Sequence, residues 1–176
     1  MDHAKLIGAV EEPKATRSLN LGTKLGPRLG IISDTHGLLR PEALAALRGS
    51  DLIIHAGDVG APDIIEKLEA IAPVFVVQGN IDNDPWAHQW PETQIVETDH
   101  AAIYVLHDVH KLDLNPAAAG FQIVVSGHSH QPSCTYRQGA MFINPGSAGP
   151  RRFKLPICLA RLDLNAQPWR VEFVDL

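Results

Sequence analysis

Residues 29–80, LGIISDTHGLLRPEALAALRGSDLIIHAGDVGAPDIIEKLEAIAPVFVVQGN, alternate three short apolar runs with two segments of helical character. The apolar runs predict β-strands, and the intervening segments predict α-helices, the first of which begins with a proline suited to a first helical turn. A β-α-β-α-β succession favours parallel strands with right-handed crossovers, which bring the carboxyl ends of all three strands to one sheet edge. The predicted strands are Leu29–Ser33, Leu52–Ala56 and Val74–Gln78, and the predicted helices are Pro41–Leu47 and Pro62–Ile71.

The second half of the chain has a different pattern, in which turn signals separate alternating runs. Gln138-Gly139 and the segment Asn165–Pro168 are typical of hairpins, so we expect antiparallel strands that form a second sheet or extend the first. The predicted elements are strands at Gln94–Thr98, Ala101–Leu106, Gln122–Ser126, Ser133–Arg137, Ala140–Ile143, Ile157–Asp163 and Arg170–Val174, with a short helix near Pro116–Ala119.

The length and composition of the chain indicate one domain preceded by an arm. Its 176 residues are 45% hydrophobic, enough to bury a sizeable core in a single domain. Residues 1–27 mix charges with glycine and proline and show no sustained period, which predicts an irregular N-terminal arm. Residues 28–176 are predicted to form the domain.

Charge and apolar patterning exclude several classes of function. The net charge of −5, without a basic stripe, disfavours a groove for long nucleic acid. The sequence shows neither a long apolar run nor an N-terminal apolar signal, so we expect no membrane span and a cytoplasmic location. Two cysteines, Cys134 and Cys158, are too few for a disulfide framework and lack the spacing of a zinc or redox motif.

Side chains of metal-binding type follow five of the predicted strands. Carboxylates, an amide oxygen and neutral imidazoles suit first-row transition ions, whereas four histidines disfavour calcium or magnesium. Each residue alone has an ordinary explanation as a turn former, helix cap or core histidine. Five strand ends that all carry a ligand type predict a metal site instead. The candidate ligands are Asp34, His36, Asp58, Asn80, His107, His128 and His130.

Taken in order, these motifs resemble the calcineurin-like metallophosphoesterases, specifically their small bacterial and archaeal phosphodiesterase branch. The resemblance runs from about Leu29 to the C-terminus and includes Asp34-Thr35-His36, Gly57-Asp58, Gly79-Asn80-x-Asp82, His107, Gly127-His128-Ser129-His130 and Asn144-Pro145-Gly146-Ser147. It implies an α/β fold, a four-layer α/β/β/α sandwich of mixed sheets, with two metal ions at one edge.

The resemblance also implies how the ligands divide between the ions. One ion is expected on Asp34, His36, Asp58 and His130, and the second on Asp58, Asn80, His107 and His128, so that Asp58 bridges them. The family is known with manganese, iron, zinc, nickel or cobalt, and manganese is our first expectation.

Such a centre suits small phosphate esters. Two divalent cations less two carboxylates leave about two positive charges, which attract a phosphate anion. Metal ions also lower the pKa of bound water to about 7, so a bridging hydroxide is the expected nucleophile. We therefore expect hydrolysis of small phosphodiesters, with phosphomonoesters as further substrates. Asp58, Asn80 and His107 are the expected catalytic residues, acting through the metal-bound hydroxide and phosphate positioning.

Several residues beside the ligands modify this expectation. Ile81 stands where many larger relatives carry a proton-donating histidine, so we expect a preference for esters with acidic leaving groups. Arg151 and Arg152 are either substrate-phosphate contacts or a basic corner that is solvated or contacts another subunit. His110 lies one place later than the second histidine of many relatives, and His55 is either a core histidine or a support for the ligands.

The sequence leaves a second class of function open. Retromer-subunit relatives use the same fold as a protein-interaction scaffold with an incomplete metal shell, so a catalytically weak metal-binding scaffold is the alternative. The resemblance also implies a homodimer or homotetramer.

Overall fold

The computed structural model describes residues 25–176, and these form two five-stranded sheets packed face to face. Of the predicted N-terminal arm, residues 1–24 lie outside the described residues. Residues 25–27 lead into the first strand, where Leu25 packs against the inter-sheet core and the carbonyl of Pro27 accepts a hydrogen bond from Leu164.

The first sheet contains the predicted β-α-β-α-β unit. Its elements are β1 (Arg28–Ile32), α1 (Pro41–Leu47), β2 (Leu52–His55), α2 (Pro62–Glu69) and β3 (Val74–Val76). As predicted, β1, β2 and β3 are parallel and adjacent. Each strand ends one or two residues earlier than predicted, because the chain turns sharply into the polar segment that follows it.

Two C-terminal strands extend the first sheet. Strand β9 (Cys158–Asp163) pairs antiparallel with β1, and β10 (Val171–Asp175) pairs antiparallel with β9. The sheet order is therefore β10-β9-β1-β2-β3. This is the antiparallel extension that the turn signal near Asn165 predicts.

The second sheet is mixed, with the order β4-β5-β6-β8-β7. The prediction of antiparallel strands is confirmed for the pairs β4–β5 and β7–β8 and wrong for β5, β6 and β8, which run parallel. The connections between them are long enough for crossovers, which parallel neighbours require. The strands are β4 (Thr93–Glu97), β5 (Ala102–Leu106), β6 (Ile123–Val125), β7 (Ser133–Arg137) and β8 (Ala140–Asn144).

The short helix predicted near Pro116–Ala119 is also wrong, since this segment forms consecutive turns. Asn115 caps these turns with two hydrogen bonds. Its carbonyl accepts the N–H of Ala119 at 3.0 Å, and its side-chain oxygen accepts the N–H of Ala118 at 3.1 Å. Gly120 then adopts φ 88°, a left-handed conformation that stops helix propagation after one turn.

The layers of the sandwich follow from the alternation of side chains along the strands. Helices α1 and α2 cover the outer face of the first sheet through Leu47, Ile64 and Leu68. The outer face of the second sheet is covered by Val109 and Leu112, so a 3₁₀ turn and a loop stand there in place of an α-helix. Apolar residues fill the space between the sheets, among them Leu29, Ile31, Leu52, Ile54, Ile103, Val105, Ile123 and Val125.

Within residues 25–176, none of the helices is both long enough and apolar enough to cross a bilayer.

Candidate metal centre

The loops after five strands converge at one edge of the sandwich. Parallel strands β1, β2 and β3 end there, as do β5 and β6 of the second sheet. The parallel pairing of β5 with β6 therefore brings His107 next to His128, with ring centroids 5.2 Å apart. The structure brings together all seven predicted side chains, Asp34, His36, Asp58, Asn80, His107, His128 and His130.

One group of ligand atoms is built from the first sheet and the loop after β6. His130 Nε2 lies 3.1 Å from Asp34 Oδ1 and 3.2 Å from His36 Nε2. Ligand atoms of these three residues all lie within 4.8 Å of one another. Asp34 is fully buried and His130 is 4% exposed, so this group lies deep in the edge.

A second group lies nearer the surface. Asn80 Oδ1 is 3.2 Å from His107 Nε2 and 3.0 Å from His128 Nδ1. Asn80 and His128 are exposed, whereas His107 is buried. The centre therefore opens to solvent on the side of the second group.

Asp58 lies between the two groups with one oxygen toward each. Its Oδ2 is 3.7 Å from His36 Nε2, and its Oδ1 is 3.4 Å from His107 Nε2. Oδ1 also accepts a hydrogen bond from the backbone N–H of Ile81 at 3.0 Å. A carboxylate in this position can face two cations at once.

The chemistry of the buried atoms fits cations. His107 Nδ1 lies 2.7 Å from the carbonyl of Ala56, which can only accept, so this nitrogen donates and Nε2 carries a lone pair when the ring is neutral. That lone pair faces two other acceptors, Asp58 Oδ1 and Asn80 Oδ1. In the first group, Asp34 Oδ1 is buried without a hydrogen-bond partner. Divalent cations bound at these positions would accept the lone pairs that now face one another and would also pair with the unbonded carboxylate oxygen.

The backbone at the centre is unusual. Five of the seven candidate ligands have left-handed φ values between 47° and 67°, a region that non-glycine residues rarely adopt. Such strain persists where the surrounding structure holds it, and it clusters at functional sites. The residues concerned are Asp34, His36, Asp58, His128 and His130.

Two glycines leave room for the carboxylates. A Cβ on Gly79 would meet Asp58 Oδ1, and a Cβ on Gly127 would meet Asp34 Oδ2 at 2.7 Å. The strand ends therefore approach so closely that only glycine fits beside these two ligands.

Asp82, which the resemblance marks as a position that orients the ligands, fixes the loops around the second group. Its Oδ2 accepts from the backbone of Val59 at 3.1 Å and Gly79 at 2.9 Å, and its Oδ1 accepts from Gly60 at 3.0 Å. The side chain is 3% exposed. Asp82 thus holds the loops that carry Asp58 and Asn80 against each other.

The Asn144-Pro145-Gly146-Ser147 motif supports the first group, a role that the sequence alone does not assign. Asn144 Nδ2 donates to the carbonyl of Gly127 at 2.6 Å and to Ser129 Oγ at 3.0 Å. Ser147 Oγ donates to the carbonyl of Asp34 at 3.0 Å. The motif thereby connects the loop after β1 to the loop after β6.

His55 is a core histidine, and it touches Thr35, which lies between two candidate ligands. Thr35 Oγ1 donates to the carbonyl of Val59 at 2.9 Å, so it accepts from His55 Nε2 at 3.0 Å. Complete burial lowers the pKa of His55 to about 4, and the ring is therefore neutral near pH 7.

Burial and charge act in opposition on the ligands themselves. Burial lowers the pKa of His36 despite the nearby carboxylates of Asp58 and Asp34, and the Arg152 charge adds to this lowering. Burial raises the pKa of Asp58, but hydrogen bonds involving His107 and the Ile81 N–H outweigh it, so the pKa lies below its usual range. Burial likewise lowers the pKa of His107, and its contact with Asp58 raises it overall.

The remaining predicted residues lie around the centre. Arg151 and Arg152 are exposed in the loop after Gly149, whose N–H donates to the carbonyl of Asp34 at 3.2 Å. His110 is exposed, and its N–H donates to Asp108 Oδ1 at 3.0 Å. The Ile81 side chain is 39% exposed, so the position after Asn80 faces solvent with an apolar group.

A cleft of 630 Å³ adjoins the second group. Asn80, His107 and His128 form its inner end, and residues of β4, β5 and the 3₁₀ turn form its walls. A second concavity, beside Arg28 and Arg161, lies on the far edge of the first sheet and includes none of the seven candidate ligands.

A cluster of metal-binding side chains thus lies at one edge of two mixed sheets, and comparison with known proteins identifies the family. The model of the calcineurin-like phosphoesterase superfamily domain matches residues 28–167, so the chain belongs to this family. It is 35% identical over 148 residues to a probable metallophosphoesterase of Methanothermobacter thermautotrophicus, covering 77% of this chain and 86% of the relative. It is 27% identical over 138 residues to a phosphodiesterase of Methanocaldococcus jannaschii, covering 68% of this chain and 82% of the relative.

Solved structures share the fold. An archaeal phosphodiesterase superimposes with a TM-score of 0.70 at 21% identity, covering 84% of this chain and 99% of that one. Vps29 of Entamoeba histolytica, solved with zinc, superimposes with a TM-score of 0.62 at 20% identity, covering 84% and 98%. The expected α/β sandwich is therefore confirmed.

Proposed function

We propose that this chain is a phosphodiesterase that uses two divalent transition-metal ions to hydrolyse small phosphodiesters. The observation that carries the proposal is the position of Asp58, whose two oxygens face the two groups of ligand atoms. In this proposal, Asp34, His36, Asp58 and His130 hold one ion, and Asp58, Asn80, His107 and His128 hold the other. Manganese is the first candidate, with iron, zinc, nickel and cobalt as alternatives.

When bound, two such ions would supply Lewis-acid activation of water and a positive clamp for phosphate oxygens. The residues of the chain keep the geometry for that chemistry. The Ala56 carbonyl fixes the ring of His107, the Ile81 N–H fixes Asp58, and Asp82 fixes the loops that carry Asp58 and Asn80. Asp58, Asn80 and His107 are thus the proposed catalytic residues.

Substrate binding is proposed to use Arg152 more than Arg151. The positive charge of Arg152 contributes to the lowered pKa of His36, and we infer from this that Arg152 is the arginine nearer the first group. A guanidinium there can form a charge-assisted contact with a phosphate oxygen.

The chain itself offers no proton donor at position 81, because the side chain there is isoleucine. Esters whose leaving groups depart without protonation, such as aryl diesters, are the proposed better substrates. The diester activity is also supported by the sequence similarity to the phosphodiesterase of Methanocaldococcus jannaschii.

The experiment is metal analysis combined with turnover of bis-p-nitrophenyl phosphate. We expect two ions in the wild-type chain and at least a hundredfold loss of kcat/KM in Asn80→Ala and His107→Ala. Glu97→Gln, on the exposed end of β4, is the matched surface control and should keep full activity. Retention of turnover in both ligand variants would contradict the proposal.

The second candidate function is a weakly catalytic interaction scaffold. The likeness to Vps29 of Entamoeba histolytica, solved with zinc, favours it, since that protein has the same fold with a metal. The gathering of all seven candidate ligands in this chain favours the enzyme. Two bound ions without turnover of any phosphate ester would decide for the scaffold.

Oligomeric state and location complete the proposal. We expect a homodimer or homotetramer in the cytoplasm. Sedimentation of the purified protein measures the oligomeric state directly.

A further inference from the structure

The cleft beside the second group has a distinct charge pattern. Asn80, His107 and His128 of the second group line it, together with residues of β4 and β5. An ester whose phosphate lies at the proposed ions would place one of its substituents in this space. The walls of the cleft therefore indicate which substituent fits.

Four carboxylates line the cleft, Asp82, Glu92, Asp108 and Asp113, together with one ammonium, Lys111. Four negative charges against one positive charge leave three negative charges. In the part of the chain that the structure describes, Glu92, Asp113 and Lys111 form no ion pair with another side chain. Both oxygens of Asp82 accept backbone N–H groups, so Glu92, Asp108 and Asp113 are the carboxylates with atoms left to contact a ligand.

An aromatic residue lines the same space. Tyr104 of β5 lines the cleft and is half-buried, because its ring packs on Phe121 with centroids 5.1 Å apart. Leu106, two residues further along the same face of the strand, also lines the cleft. Aromatic faces beside carboxylates attract alkylammonium groups through their quadrupole and their negative charge.

We propose that this cleft selects phosphodiesters of an amino alcohol, with the phosphate at the ions and the ammonium group between Tyr104 and the carboxylates. The inference rests on the proposed function and adds the substrate class. The positive centre and the negative cleft together match a zwitterionic ester. The same pattern disfavours esters that carry a second phosphate or carboxylate, because that group would lie against Glu92 and Asp113.

The test compares the zwitterion p-nitrophenyl phosphorylcholine with its carbon isostere p-nitrophenyl 3,3-dimethylbutyl phosphate, which has the same shape without the ammonium charge. In both reactions water forms the new P–O bond, and p-nitrophenolate leaves with the electron pair of the broken bond, so the leaving group is the same. We expect kcat/KM for the choline ester to be about three- to tenfold higher than for the isostere at low salt, the range of partly exposed charge interactions. The preference should shrink as salt is added.

The double variant Glu92→Gln/Asp113→Asn should abolish the preference for the choline ester over its carbon isostere. Glu97→Gln, exposed on β4 and outside the cleft, should keep the preference. A readout without turnover is saturation transfer from the protein to the N-methyl protons of phosphocholine, which should occur in the wild type and be lost in the double variant.

Three outcomes separate the two proposals. Equal turnover of the two esters, with bis-p-nitrophenyl phosphate still hydrolysed, would overturn the amino-alcohol inference and leave the proposed function standing. A preference that survives in the double variant would also overturn it. Absence of turnover on every diester would overturn the proposed function and this inference together.

Discussion

The imidazole of His55 donates to Thr35 Oγ1 across 3.0 Å, directly behind the candidate metal centre. The direction is fixed because Thr35 Oγ1 uses its own proton on the carbonyl of Val59. Thr35 lies between Asp34 and His36, both of which have left-handed backbone conformations. The hydroxyl is therefore placed to hold the two ligands in an otherwise unfavourable geometry.

Replacing Thr35 by valine keeps the shape of the side chain and removes the hydroxyl. We expect Thr35→Val to bind manganese about tenfold or more weakly, the effect typical of residues that orient metal ligands. Thr35→Ser retains the hydroxyl and should bind as the wild type does. Competition with a fluorescent chelator measures the affinity, and circular dichroism checks the fold. Equal affinity in Thr35→Val would show that the contact does not position the ligands.

His55 predicts a pH dependence of stability. Burial lowers its pKa to about 4, so between the ordinary pKa near 6.5 and pH 4 the unfolded chain binds a proton that the folded chain does not. The contribution of this residue to the free energy of unfolding therefore falls as pH falls through that window. Between pH 7 and pH 5 the loss amounts to about 2 kcal/mol.

The measurement is urea unfolding of the metal-free wild type and of His55→Gln at both pH values. Glutamine still donates to Thr35 but does not titrate. The wild type should lose about 2 kcal/mol more than the variant on acidification. An equal loss in both proteins would mean that His55 is not held neutral by the fold.

The position of Ile81 predicts a gain of function. Its backbone N–H anchors Asp58 and its side chain is 39% exposed, so a histidine there keeps the anchor and adds a proton donor. We expect Ile81→His to raise kcat on alkyl phosphodiesters by up to about a hundredfold and to change kcat on bis-p-nitrophenyl phosphate little.

Ile81→Gln is the control for Ile81→His, since it is polar without being a general acid at neutral pH. A similar gain in both variants would point to solvation of the site and not to proton donation.

Arg152 and Arg151 offer a matched pair of substitutions in one exposed loop. The charge of Arg152 contributes to the lowered pKa of His36, so Arg152→Ala is expected to raise KM for bis-p-nitrophenyl phosphate by about tenfold, while Arg151→Ala is expected to change it little. Steady-state kinetics at fixed metal concentration measure both. A larger effect at Arg151 would reverse the proposed roles.

Most of the candidate centre can be predicted because its signals are local. Each ligand follows an apolar run closely, and the β-α-β-α-β alternation by itself predicts that Asp34, Asp58 and Asn80 share one sheet edge. The parallel pairing of β5, β6 and β8 cannot be predicted in this way. The hairpin signals of that half are local, whereas strand order across a crossover depends on contacts far apart in the sequence.

The roles of the supporting residues escape prediction for the same reason. Thr35 accepts a hydrogen bond from His55, and Asn144 donates one to the carbonyl of Gly127. Ser147 donates one to the carbonyl of Asp34, which lies 113 residues earlier in the chain. Their residue types are common in turns, so nothing in their immediate neighbours distinguishes support from turn formation. The Asn-Pro-Gly-Ser motif draws attention to Asn144 and Ser147, but it does not predict which groups they bind.

The measurement that tests the account most directly is a manganese titration of metal-free protein, followed by release of p-nitrophenolate from bis-p-nitrophenyl phosphate. If Asp58 joins two metal sites, the rate should rise until two ions are bound per chain and then stay constant. In Asp58→Asn the rate should be at least a hundredfold lower at every ratio. A rate that reaches its plateau at one ion per chain, or stays at background with two ions bound, would contradict the account.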